Sequence, residues 1–93
     1  MSKGILISEA KLKDENSNIY KMGYYVLPFG LDGDQAAYGI RIEKTDVKGN
    51  TSAEETGGLT HSYDEAEGWV RRLAAGEVTP FTLHDVVDDL MVA

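Results

Sequence analysis

The side chains able to do chemistry are few and scattered. His61 and His84 are the only histidines, and there is no cysteine, which removes disulfides, thiolate metal sites and a cysteine nucleophile together. Asp64, Asp85 and Asp88 could complete a His/carboxylate metal set. No His-x-x-x-His pair accompanies them, and both imidazoles fall in or beside helix starts, where polar side chains cap and solvate. Asp32-Gly33-Asp34 has the opening of a calcium loop, but the remaining oxygen ligands and the closing glutamate are missing, so it reads as a turn. Glu54 and Glu55 are adjacent in a strand and therefore point to opposite faces, which is wrong for paired acid–base work. Ser62, His61 and Asp64 make no catalytic triad, because Ser62 is occupied as a helix cap and no nucleophile elbow surrounds it. Gly30, Gly33 and Gly39 precede no helix, so they form no dinucleotide fingerprint, and a phosphate loop is absent. Tyr20, Tyr24, Tyr25, Phe29 and Tyr38 could stack on bases, yet basic residues do not interleave them. No enzymatic activity, cofactor or metal is expected from these residues.

Two clusters remain. Tyr25 and Arg41, with Lys21 and Glu43, share by strand alternation the sheet face away from the helices. A Tyr/Arg pair there has the residue chemistry of a protein-binding hot spot. Asp85, Asp88 and Asp89 form the wet side of the last helix. Both are candidate partner-binding surfaces.

The elements that must position them follow from periodicity. Gly4 to Leu12 reads as a strand, with Ile5 and Ile7 on one face and Ser8, Ala10 and Leu12 on the other. A polar break precedes a second strand, Ile19 to Leu27, which puts Tyr20, Met22, Tyr24 and Val26 on the core face. Pro28 is expected to end that strand, followed by a glycine-punctuated loop to Asp34. Ala36 to Lys44 alternates cleanly, with Tyr38, Ile40 and Ile42 inward and Ala37, Gly39, Arg41 and Glu43 outward. Lys48-Gly49-Asn50 marks a hairpin, and Thr51 to Thr56 returns as a polar edge strand.

Ser62 then opens an amphipathic helix. With Glu65 it makes a capping box, and Ala66, Trp69, Val70, Leu73 and Ala74 form one apolar stripe. Trp69 lies centrally in that stripe and is expected to be largely buried against the sheet. Gly68 costs about 1 kcal/mol relative to alanine, which a close helix–sheet approach would offset. Gly76 occupies the expected left-handed C-cap. Pro80 predicts an extended connection, Thr82 an N-cap, and Phe81 with Val86 a hydrophobic staple for a second helix, Leu83 to about Met91. A half-apolar sheet and two amphipathic helices can bury each other's faces. The expected fold is therefore α+β: an antiparallel four-stranded β-meander followed by two C-terminal helices packed on one sheet face, as a single domain over 1–93.

The chain is 42% hydrophobic, enough for one modest core. Sixteen acidic against nine basic residues give a net charge of −7, which disfavours binding to a phosphate backbone. No apolar run reaches the roughly 18–20 residues of a membrane span. The apolar stretch near the start is too short for a signal peptide. A cytoplasmic location is expected, with no membrane association.

Tyr38-Gly39-Ile40-Arg41-Ile42, the Glu54-Glu55 pair, the Ser62 helix and the segment Val78-Thr79-Pro80-Phe81-Thr82-Leu83-His84-Asp85-Val86-Val87-Asp88-Asp89-Leu90 together carry a resemblance. Over approximately residues 19–91 the chain resembles a family of small uncharacterised Firmicutes proteins of clostridial type, a domain of unknown function. The resemblance implies a bacterial cytoplasmic protein and transfers no site residue, since its motifs are structural. The leading expectation is a small non-enzymatic module that binds another protein. Two alternatives stand beside it: a small-ligand protein or enzyme using the Pro28–Asp34 loop, and an acidic decoy for a basic nucleic-acid-binding surface.

Overall fold

The structure is a computed structural model that describes residues 4–32 and 35–92. Four strands, β1 (Ile5–Lys13), β2 (Ile19–Asp32), β3 (Gln35–Asp46) and β4 (Thr51–Glu55), form one antiparallel sheet in chain order. Helix α1 (Tyr63–Ala75), a 3₁₀ turn (Pro80–Thr82) and helix α2 (Leu83–Val92) follow. The α+β meander expected from periodicity is the fold observed.

The core lies where the alternation puts it. Met22, Tyr24 and Val26 of β2 and Ile40 and Ile42 of β3 face Ala66, Val70 and Leu73 of α1 and Leu83 and Val87 of α2. Helix α1 packs across β1, β2 and β3, and the 3₁₀ turn across β3 and β4. Tyr63 meets Tyr38 edge to face, with ring centroids 5.6 Å apart. The Tyr24 hydroxyl donates to the Val78 carbonyl at 3.0 Å, tying β2 to the segment after α1.

Several local expectations are corrected. Strand β2 does not end at Pro28; it runs on to Asp32. The last β1–β2 pair among the described residues is Ile5 with Val26, and no described residue pairs with Pro28 on the side away from β3. A proline without an N–H is tolerated at such an edge. The Pro28–Asp34 segment is thus mostly strand, interrupted by an irregularity between Phe29 and Leu31, and residues 33 and 34 lie outside the described residues.

Trp69 is only half-buried, on the flank of the core, because Ala66, Val70 and Leu73 take the buried line of α1. Gly68 is exposed, and a Cβ there would meet nothing within 4 Å, so no close helix–sheet approach offsets its cost. The left-handed residue at the end of α1 is Glu77 (φ +52°), not Gly76 (φ −88°). Val78 N–H donates to Leu73 and Glu77 N–H to Ala74, the two bonds of a Schellman cap whose left-handed position falls one residue after the glycine.

At the start of α1, Ser62 Oγ accepts from Glu65 N–H at 3.2 Å as expected. The Glu65 carboxylate instead accepts from the Thr60 hydroxyl at 2.6 Å, and Thr60 Oγ1 accepts from Ser62 N–H at 3.0 Å. The capping box is relayed through Thr60. Thr82 is not an N-cap. It closes the 3₁₀ turn, its hydroxyl turned back toward Thr79, while Pro80 is buried and Phe81 is 93% exposed and staples nothing.

The β1–β2 and β3–β4 hairpins share one device. Asp14 accepts from the N–H groups of Asn16 and Asn18 and from the Asn18 amide. Asp46 accepts from those of Lys48 and Asn50 and from the Asn50 amide. In each loop the residue before the asparagine, Ser17 or Gly49, has positive φ.

Candidate functional site

The face of the sheet away from the helices is built row by row from the strand register. Leu6, Tyr25, Arg41 and Glu55 form one row across β1 to β4. Glu9, Gly23, Glu43 and Ala53 form the next, and Lys11, Lys21, Thr45 and Thr51 the one after. Tyr25 and Arg41 are therefore direct cross-strand neighbours, on the shared face that alternation gives them. A register irregularity between Leu6 and Ser8 lets Ile7, Ser8, Ala10 and Leu12 all be half-buried and leaves Leu6, Glu9 and Lys11 outward.

Arg41 is held on both sides. Its Nε and Nη2 donate to Glu43 Oε2 at 3.1 and 3.0 Å, and its Nη1 donates to Glu55. Burial works against the charge, but the hydrogen bonds donated to Glu55 and Glu43 outweigh it and hold the guanidinium above its ordinary pKa. Glu43 itself is only 6% exposed. Tyr25 is half-buried: a Cβ on Gly23 would lie 2.8 Å from its Cε1, so the ring lies across the glycine. Lys21 and Glu9 pair more loosely, at 3.5 Å between exposed side chains.

Beside this polar lattice runs an apolar strip. Leu6 (49% exposed) faces Tyr25, and Leu27 and Phe29 (40% exposed) continue the same side of β2. Phe29 reaches over Gly39, where a Cβ would lie 3.0 Å from its ring. The sequence names Phe29 only among the aromatics and places it in a loop, and its alternation gives Leu6 no face of β1.

The other candidates lie apart. Asp85, Asp88 and Asp89 are exposed on α2, in the layer opposite Tyr25 and Arg41, so the two candidate surfaces are separate. His61 Nδ1 is 2.9 Å from the Ala36 carbonyl at the start of β3, and His84 Nε2 is 3.3 Å from Glu54 on β4. Among the described residues no group of three or more His, Asp or Glu side chains is placed to hold a metal ion. An open cleft of about 470 Å³ lies between the two hairpins, where Lys44 Nζ sits 4.5 Å from the Tyr20 ring centroid. Its aspartates, Asp14 and Asp46, already accept from their own loops. No helix among the described residues is long and apolar enough to cross a membrane.

The chain belongs to a family of unknown function (DUF6514), matched over residues 3–93. No curated protein and no solved structure matches it.

Proposed function

We propose that the protein is a non-enzymatic interaction module of the bacterial cytoplasm, docking another protein through the outer face of its sheet. The observation that carries this reading is the set Leu6, Tyr25 and Phe29, partly exposed around the buried Leu27 and beside an ion-paired arginine. Buried aromatic and arginine anchors within an apolar centre dominate protein interfaces, and the best of them are worth about 2 kcal/mol or more each. Tyr25 resting on Gly23 and Arg41 braced by two glutamates are already ordered, which lowers the entropy lost on docking.

A test is affinity capture from the native cytoplasm with the full chain. Capture should fall with Leu6→Asp and with Tyr25→Ala and persist with Asp88→Lys. Capture indifferent to Leu6→Asp and Tyr25→Ala would overturn the assignment of this face.

The decoy reading keeps one observation in its favour. Residues 63–92 hold seven acidic and two basic residues, so the helical layer is the acidic side of the molecule. Docking through Asp85, Asp88 and Asp89 would weaken steeply with salt, because exposed charges lose reach beyond about 8 Å at physiological ionic strength. Docking through the strip would not.

A further inference from the structure

We infer that the occupant of the sheet face is a second copy of this chain, stacked face to face so that two four-stranded sheets enclose one apolar seam. This rests on the docking face proposed above and names its partner.

Charge is the first argument. A chain of net charge −7 repels its own copies over most of its surface. The outer sheet face is the exception. Lys11, Lys13, Lys21 and Arg41 stand there against Glu9, Glu43 and Glu55, so the face is close to neutral and carries both signs. A two-fold axis brings a patch against itself, which suits a face of mixed sign and not the acidic helical layer. Stacked this way, the two helical layers point outward, as far apart as the fold allows.

Area is the second. The strands have 9, 14, 12 and 5 residues. At about 4.8 Å between strands and about 3.3 Å per residue, their outer face spans roughly 600 Å². Standard interfaces take roughly 600–1,000 Å² from each partner, so the whole face suffices and a corner of it does not. Sheets packed face to face sit about 10 Å apart with interdigitating side chains, and the partly exposed Leu6, Tyr25 and Phe29 supply apolar surface for that contact.

Sedimentation of the full chain across micromolar to millimolar concentration tests this. The wild type should run as a dimer at the upper end. Leu6→Glu and Phe29→Glu, one on β1 and one beyond it, should each raise the dimer Kd by about 30-fold, the effect of losing one hot-spot side chain. Far-UV circular dichroism checks that each variant is folded. A second measurement needs no variant: amine acetylation of Lys11 and Lys21 should slow as the wild type is concentrated, while that of Lys48, exposed in the β3–β4 hairpin, should not. A wild type that stays monomeric overturns the second copy as occupant, while the cytoplasmic capture assay still judges the docking face by itself. A dimer unmoved by folded Phe29→Glu, or one that protects Lys48 and not Lys21, overturns it too, because the contact then lies on an edge or on another face.

Discussion

Thr56→Val removes one hydroxyl and leaves the shape of the side chain almost unchanged. Strand β4 ends at Glu55, yet Thr56 extends the ladder by other means. Its N–H donates to the Ile40 carbonyl at 2.9 Å. Its Oγ1 accepts from the Ile40 N–H at 3.0 Å and donates to the Gly57 carbonyl at 2.8 Å. Thr56 is 7% exposed and Ile40 fully buried, so valine would leave the Ile40 donor without water or a substitute acceptor. An orphaned buried donor costs about 1–3 kcal/mol, with no cavity cost added because the volumes match. The Gly57 carbonyl loses a partner too, but Gly57 is exposed and water can replace it. We therefore expect a loss of about 2 kcal/mol, or about 8–16 °C in Tm for a domain of this size. Urea and thermal unfolding followed by Trp69 fluorescence would measure it, with an unchanged urea m-value as the sign of an intact two-state transition. Thr56→Ser keeps the hydroxyl and should recover most of the loss. A Thr56→Val protein melting within about 2 °C of the wild type would show that the hydroxyl does not carry this end of the ladder.

Three further outcomes are expected. Burial first, then Glu77 and Tyr20, pushes the Tyr24 phenol up to about 12. Its contribution is full below the unfolded value near 10 and is lost as pH rises through about 12; Tyr24→Phe should flatten that alkaline fall in Tm and cost about 1 kcal/mol at neutral pH. Asp46 is held below the usual carboxylate range by the Asn50 N–H, then by the Asn50 amide and the Lys48 N–H, so its contribution is present above an unfolded pKa of about 3.9 and lost as pH falls through the lower folded value. Asp46→Asn should make the acid limb of the stability curve shallower, and an identical limb in both proteins would refute the role given to that loop. Glu77→Gly should raise stability by about 1 kcal/mol, read from denaturant midpoints, because glycine takes the left-handed cap without the Cβ penalty.

What sequence made legible was what depends on near neighbours. The Ser62 helix, its N-cap and its apolar stripe are written within fifteen residues, and the structure keeps them. The shared face of Tyr25 and Arg41 follows from period-2 alternation in two strands whose hydrophobic pattern leaves little freedom of register. Other features needed information from far along the chain. Pro28 remains in β2 through its pairing with Tyr38 of β3, and nothing around Pro28 in the sequence says so. Arg41 could pair with Glu55 only once the β3–β4 register was set. The sheet face of Leu6 depended on one irregularity at Ile7 that inverts the phase of the strand. Trp69 shows a different limit: periodicity names the residues of a stripe but not the line beneath which the sheet lies. The hairpin repeat Asp14…Asn18 and Asp46…Asn50 was readable. The likeness is masked because Ser17 fills a left-handed position that glycine fills in the second loop.

The state of Arg41 and Glu43 bears on what the open face is for. A sheet face that only meets water can leave its charges hydrated and mobile, and antiparallel sheets commonly do. Here a glutamate on the outward register is almost wholly withdrawn from solvent, its Oε2 bridged by two guanidinium nitrogens, while the same arginine reaches across to Glu55. Removing charges from water is costly, and a pair gains little net stability once that cost is met. What such an arrangement does supply is order: the desolvation and most of the side-chain freedom are spent when the chain folds. The partner proposed for the Leu6–Phe29 strip would then meet a rim already fixed and ion-paired, and each immobilised long side chain spares about 0.5–1.5 kcal/mol that docking would otherwise lose. On the docking reading proposed above, Arg41 acts as a fixed part of the face held by its two glutamates, and Tyr25, its cross-strand neighbour lying across Gly23, as the aromatic beside it.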